Sequence, residues 1–234
     1  MLKAVLFDLD GTLLPMNDNE FTRTYFGLLC KTVAPLGYEP KKLVDTLWAG
    51  TSKMYKNDGS KTNEEVFWNY FAEIYGKDKL KDKLAFDRFY SNEFKLSKSA
   101  TRENPTAREI IDFLKNNNIK IILATNPLFP PNAIETRIGF INLVPSDFDY
   151  ITTYDNSHFT KPNPKYIEEI LTKNNLKPKE VLFFGNNEVE DCDCASALNI
   201  KSYLVGDDLI LKSETPPYPH IKIEEIIDTI KSYI

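Results

Sequence analysis

Near the start of the chain two aspartates stand one residue apart, in Phe7-Asp8-Leu9-Asp10-Gly11-Thr12. In an extended segment, residues i and i+2 project to the same side, so the two carboxyls converge. Carboxylates that close repel each other unless a cation lies between them. Hard oxygen donors of this kind suit magnesium. Gly11 lets the chain turn sharply just after the pair. Without further context the same residues also read as an acidic turn closing a strand.

Three more segments carry groups of the same chemistry. Thr125-Asn126 places a hydroxyl and an amide after the apolar run Ile121-Ile122-Leu123-Ala124. Thr160-Lys161-Pro162-Asn163-Pro164 places a lysine just before a helical pattern. Phe184-Gly185-Asn186-Asn187-Glu188-Val189-Glu190-Asp191 follows another apolar run with amides and carboxyls. Taken singly, each reads as readily as a turn, a solvated side chain or a helix cap.

These segments need a scaffold that gathers their ends. Residues 3–7, 119–124, 181–184 and 201–205 are short runs rich in Val, Ile, Leu and Phe without polar alternation. Strands covered on both faces of a parallel sheet have that composition. Residues 150–153 form a fifth, weaker run. Helical patterns cover 106–116, 164–174, 191–198 and 223–233, and Pro164 suits the first turn of its helix. The alternation predicts an α/β fold, a doubly wound parallel sheet. Such sheets bind ligands at the C-terminal ends of their strands, and each of the four segments lies next to a predicted strand.

Residues 17–104 break this rhythm, with helical patterns and no convincing strand. Phe21, Tyr25, Leu28 and Leu29 share one helical face. Thr62-Asn63-Glu64-Glu65 is a capping box ahead of Val66-Phe67-Trp68. The stretch reads as a smaller all-helical domain, with apolar helices of its own, inserted into a core made of residues 1–16 and 105–234. Trp48 and Trp68 are expected in the insert's interior.

A chain of 234 residues with 42% hydrophobic composition suffices for one α/β core and one small second domain. A net charge of −5 and the lack of a basic stripe argue against nucleic acid as partner. The apolar N-terminal run is too short for a signal peptide or a membrane span. Cys30, Cys192 and Cys194 cannot all pair within one chain, and fit reduced thiols. A cytoplasmic location without membrane association is therefore expected. The oligomeric state is left open.

Together the four segments resemble the four motifs of the haloacid dehalogenase superfamily, over a core from Lys3 to about Val205. The resemblance implies that Asp8 is the nucleophile and Asp10 the general acid and base. Thr125, Asn126 and Lys161 would hold phosphoryl oxygens. Asp8, Asp10, Asn186 and Asp191 would bind Mg2+. An aspartate at position 10 favours phosphoester chemistry over dehalogenation, which has no leaving alcohol to protonate. The long insert resembles the helical cap of the family's first cap class, as in phosphoglycolate phosphatases and β-phosphoglucomutases. The implied function is a magnesium-dependent phosphatase acting on a small phosphorylated metabolite through an aspartyl phosphate. A phosphomutase on the same scaffold, or a non-catalytic phospholigand-binding protein, is the alternative. One departure stands out: the fourth motif usually begins Gly-Asp, and this chain has Gly185-Asn186. Asn186 supplies an oxygen without formal charge, so Glu188 or Glu190 becomes a candidate to complete the metal shell.

Overall fold

A computed structural model describes residues 1–234. The five apolar runs become strands β1 (Ala4–Phe7), β2 (Lys120–Leu123), β3 (Tyr150–Ile151), β4 (Val181–Gly185) and β5 (Lys201–Val205). A two-residue strand not foreseen from the sequence, β6 (His220–Ile221), completes a parallel sheet in the order β3-β2-β1-β4-β5-β6. The insert supplies α1 (Asp18–Val33), α2 (Pro40–Tyr55), α3 (Asn63–Tyr75) and α4 (Lys83–Ser91). The rest supplies α5 (Ala107–Asn116), α6 (Pro131–Phe140), α7 (Pro164–Asn174), α8 (Cys194–Ser196) and α9 (Ile226–Lys231). The architecture is the expected one, a parallel α/β sheet with a helical cap.

Successive side chains on a strand point to opposite faces. Ala4 and Leu6 of β1 therefore join Ile122, Phe183 and Ile167 of α7 in an apolar layer of 13 buried residues. Val5 and Phe7 face the other way, into a larger cluster of 41 that includes α5, α6 and α9. The chain leaves β1, builds β2 and β3 on one side, then returns to β4 on the other. The strand order thus reverses between β1 and β4, and a crevice opens beyond their carboxyl ends.

The insert leaves and re-enters the core side by side. Met16 and Thr101 form an antiparallel bridge, and the Arg102 N–H donates to the Pro15 carbonyl at 2.8 Å. The capping box at Thr62 and Glu65 opens α3 as expected. Next to it, fully buried Asn63 donates through Nδ2 to the Pro127 and Phe159 carbonyls, at 3.2 and 3.3 Å. Tyr25, Tyr90 and Phe94 of the insert pack on Phe129 of the core, with ring centroids 5.6, 6.1 and 6.5 Å away. The insert's apolar residues thereby belong to the same 41-residue cluster as the sheet face, rather than to a separate one.

Three expectations need correction. Trp68 is buried as expected, but Trp48 is 53% exposed. Leu43, Leu47 and Met54 take the inward stripe of α2, and Trp48, one step round the helix from Leu47, faces a cavity instead. Residues 191–198 do not form one helix: a wide π turn, Glu188–Asp193, precedes the single turn of α8. The tail likewise begins as a tight turn, Ile223–Glu225, before α9. All three cysteines are free thiols, and no helix is long and apolar enough to cross a membrane.

Candidate active site

β1 ends at Phe7, level with Phe184 of β4, and the Asp8 N–H continues the ladder by donating to the Phe184 carbonyl at 2.9 Å. The chain then folds back: the Gly11 N–H donates to the Leu14 carbonyl at 2.8 Å, with Gly11 at φ 80°. A Cβ at Gly11 would strike the Asn186 amide, and one at Gly185 would strike the Asp191 carboxyl. These two glycines let the loop after β4 press against the loop after β1.

Lys161 arrives just before α7 and is 1% exposed. Its Nζ donates to Asp8 Oδ1 at 2.7 Å and to Asp191 Oδ1 at 2.6 Å. Burial works against the ammonium, but the charges of Asp191 and Asp8 outweigh it and hold its pKa well above the usual lysine value. Burial pushes Asp8 up; Lys161 opposes this, while Asp191 and Asp10 push further. The other Asp191 oxygen accepts from the Asn187 N–H at 2.9 Å, which fixes the carboxyl's orientation.

Asp10 lies half-buried beside the same cavity as Asp8. Its Oδ2 is ion-paired with Arg137 of α6, and its Oδ1 is buried without a hydrogen-bond partner. Burial raises the Asp10 pKa, and Arg137 is the main influence that lowers it. Arg137 is 1% exposed, lies over the Phe129 ring at 4.5 Å, and keeps Nε and Nη2 unpartnered. Nothing in the sequence singled it out: it is a lone arginine in a weakly periodic segment outside the four motifs.

Thr125 sits just beyond β2, with its carbonyl held by Thr152 Oγ1 at 2.6 Å and the Tyr166 hydroxyl at 2.9 Å. It lines the cavity together with Asn126. The Asn126 amide, however, is engaged across the gap to the insert. Its Nδ2 donates to Glu190 Oε2 at 2.9 Å and to the Tyr55 hydroxyl at 3.1 Å, and Tyr55 donates to Glu190 Oε1 at 2.9 Å. Glu190 thus holds the insert. Glu188 is fully buried and turned away, accepting from the Lys212 and Ser213 N–H groups at 2.8 and 3.1 Å. Asn186 Nδ2 donates to the Asp208 carbonyl at 2.7 Å, while its Oδ1 meets only Thr12 Oγ1 at 3.5 Å.

The donor set suits a hard divalent cation. No three His, Cys, Asp or Glu side chains form a cage by themselves. Asp8 and Asp191 offer two carboxylates joined by Lys161, and the loosely held Asn186 oxygen offers a third, uncharged donor. Three carboxyls, Asp8, Asp10 and Asp191, face two cations, Lys161 and Arg137. A dication would offset the excess and let a phosphate dianion approach.

A family model for haloacid dehalogenase-like hydrolases matches residues 2–199, and the chain belongs to this family. Among curated proteins, the pyrophosphatase PpaX of Bacillus cereus is 24% identical over 186 residues, covering 80% of this chain and 75% of that protein. Among solved structures, a HAD phosphatase from Thermococcus onnurineus superposes with TM-score 0.63 at 16% identity, over 98% of each chain. A 2-haloacid dehalogenase from Pseudomonas syringae pv. Tomato gives 0.63 at 17% identity, over 100% of each. A β-phosphoglucomutase from Clostridium difficile gives 0.57 at 19%, over 100% of this chain and 99% of that one. These likenesses share a fold across three reaction types, so the reaction must be argued from the site.

Proposed function

We propose that the protein is a magnesium-dependent phosphatase that hydrolyses a small phosphorylated molecule through an aspartyl phosphate on Asp8. The observation that carries this reading is Asp8 itself, held at the strand-order reversal by Lys161 at 2.7 Å and opening on the same cavity as Asp10. In the first step a carboxylate oxygen of Asp8 forms a bond to phosphorus, the bond to the ester oxygen breaks, and Asp10 delivers a proton to the leaving alcohol. In the second step water attacks phosphorus, the bond to Asp8 breaks, and Asp10 takes up the water's proton. Lys161 stays charged and offsets the phosphoryl charge that would otherwise repel Asp8. Thr125 would donate its hydroxyl to a phosphoryl oxygen, and Asn126 would join it only on leaving Glu190 or Tyr55. Asp8, Asp10, Asn186 and Asp191 would hold the magnesium. When bound, that ion supplies charge neutralisation and orients the phosphoryl group.

The test is phosphate release from a panel of monoesters, with and without magnesium, by wild type and Asp8→Asn. The variant should keep its circular dichroism and lose turnover by on the order of 10³-fold or more, because an amide is a poor nucleophile. Turnover within tenfold of wild type would rule out the covalent route.

A further inference from the structure

Beyond the reacting groups, the cavity has a character of its own. A single space of about 410 Å³ contains both Asp8 and Asp10 and extends between the sheet and the insert. Close-packed interiors leave few voids larger than a water molecule, and this volume falls in the range of small-molecule sites. Its far walls are aromatic: Phe26, Trp48, Phe67 and Trp68 from the insert, with Tyr90 and Phe129 closing the side. Buried aromatics alone would be packing. Trp48, however, is 53% exposed, stands edge-on to Phe26 at 5.4 Å and shows its surface to the cavity. Half-exposed Trp at a cavity wall is surface left for something to cover.

The charges point the same way. Among the 30 lining residues the only Lys or Arg is Arg137, whose charge is offset by Asp10 through Nη1 while its Nε and Nη2 have no partner. Carboxyls outside the reacting pair are several: Asp18, Asp87 and Glu190 all line the space. A second phosphate or a carboxylate on the substrate would meet these acids, of which Asp87 is already paired with Lys83, and no lining cation other than Arg137 beside Asp10. Burying it unpaired would be costly. A neutral or cationic ring would meet aromatic faces.

We infer that the cavity selects phosphomonoesters whose alcohol carries a flat aromatic group, neutral or positively charged, and rejects those ending in a second phosphate or a carboxylate. This specificity rests on the phosphatase reading above. It also separates the chain from a pyrophosphate-cleaving role.

The experiment compares benzyl phosphate with glycerol 3-phosphate, phosphoglycolate and pyrophosphate. Benzyl and glycerol phosphates both release primary alcohols, so ease of bond cleavage does not decide the comparison. We expect kcat/KM for benzyl phosphate to exceed that for glycerol 3-phosphate by about tenfold, and that for the two charged compounds by about 10²-fold. Trp48→Ala should lose most of the aromatic preference through KM, and Trp48→Phe should keep it. Binding is read separately in Asp8→Asn with magnesium, by quenching of Trp48 and Trp68, the chain's two tryptophans, both of which line the cavity. Phosphoglycolate or pyrophosphate cleaved and bound as well as benzyl phosphate would overturn the inference and leave the phosphatase reading standing. Selective quenching by benzyl phosphate without phosphate release from any ester would overturn the phosphatase reading and uphold the aromatic site.

Discussion

Arg137 is the residue whose role is least expected and most specific. It reaches the site from α6, where it pairs with Asp10 and lines the same cavity as Asp8. Its action would be to position Asp10 and lower the carboxyl's pKa against the effect of burial. Arg137→Met, which keeps bulk and removes charge, should therefore raise the Asp10 pKa and move the alkaline limb of the rate profile, where the general acid loses its proton, to higher pH. Turnover of an alkyl phosphate should fall by about 10²-fold, and that of an aryl phosphate much less, because a good leaving group needs little protonation. Equal losses on both esters with an unmoved pH profile would mean that Arg137 only packs. Asn186 illustrates the opposite case, a departure already visible in the sequence whose reason is structural. Its amide N–H donates to the Asp208 carbonyl at 2.7 Å, a bond that an aspartate cannot make. Asn186→Asp should tighten magnesium binding by about tenfold, roughly 1.4 kcal/mol. The same change should cost the metal-free protein about 1–2 kcal/mol by facing a carboxylate with a carbonyl. Calorimetric magnesium titration and metal-free melting check the two halves, and unchanged magnesium affinity would place Asn186 outside the metal's reach.

At the scale of elements, β3 shows how a weak strand is kept in register. It has two residues, and the loop before it is held by Asp147, which binds Arg108 at 2.7 Å and Lys115 at 2.7 Å on α5 and accepts from the Val144 N–H at 3.0 Å. The Arg108 hydrogen bonds are the largest influence holding the Asp147 carboxyl well below the usual carboxylate range. A carboxylate whose pKa is depressed on folding stabilises above its unfolded pKa of about 3.9, and that contribution is lost as pH falls through the folded value. Asp147→Asn should thus cost about 2 kcal/mol at pH 7, and the gap from wild type should narrow below about pH 4. A constant gap from pH 7 to pH 2 would show that packing, not charge, matters there. The sequence made β1, β2, β4 and β5 legible because strands buried on both faces must be continuously apolar. It hid β6 because two residues after Pro216-Pro217-Tyr218-Pro219 carry no pattern. It hid α6, and with it Arg137, because Ala133, Ile134 and Ile138 are the chief inward residues of a ten-residue helix and give only a faint period. The four motif segments were readable because their chemistry is local. The Tyr55–Glu190–Asn126 contact was not, because it joins residues up to 135 positions apart.

At the scale of the whole molecule, the sequence divides the chain into a core and an insert at about residues 17 and 104, and the packing ties the two together. Tyr25, Tyr90 and Phe94 cover Phe129, and the 41-residue apolar cluster runs without interruption from the sheet face through α6 to α1 and α4. Asn63 adds two hydrogen bonds across the junction, and Tyr55 adds two at its rim. Removing the insert would bare Phe129, just ahead of α6, to water. Apolar area returned to water costs about 25 cal/mol per Å², and an exposed patch of that kind favours association. The insert in turn would lose the surface on which its aromatic helices close. Each part therefore depends on the other for its apolar cover, although each has its own secondary structure. Heating should unfold them in one cooperative transition, with calorimetric and van't Hoff enthalpies in agreement. A weakened junction should separate them: Phe129→Ala removes the ring on which three insert aromatics rest, and should lower Tm and broaden or split the transition. Phe129 is only partly buried and borders the cavity, so the cost should fall below the roughly 3–5 kcal/mol of a fully buried Phe. Two resolved transitions in the wild type would instead make the insert an independent unit, and deletion of residues 17–104 should then leave a core that folds alone.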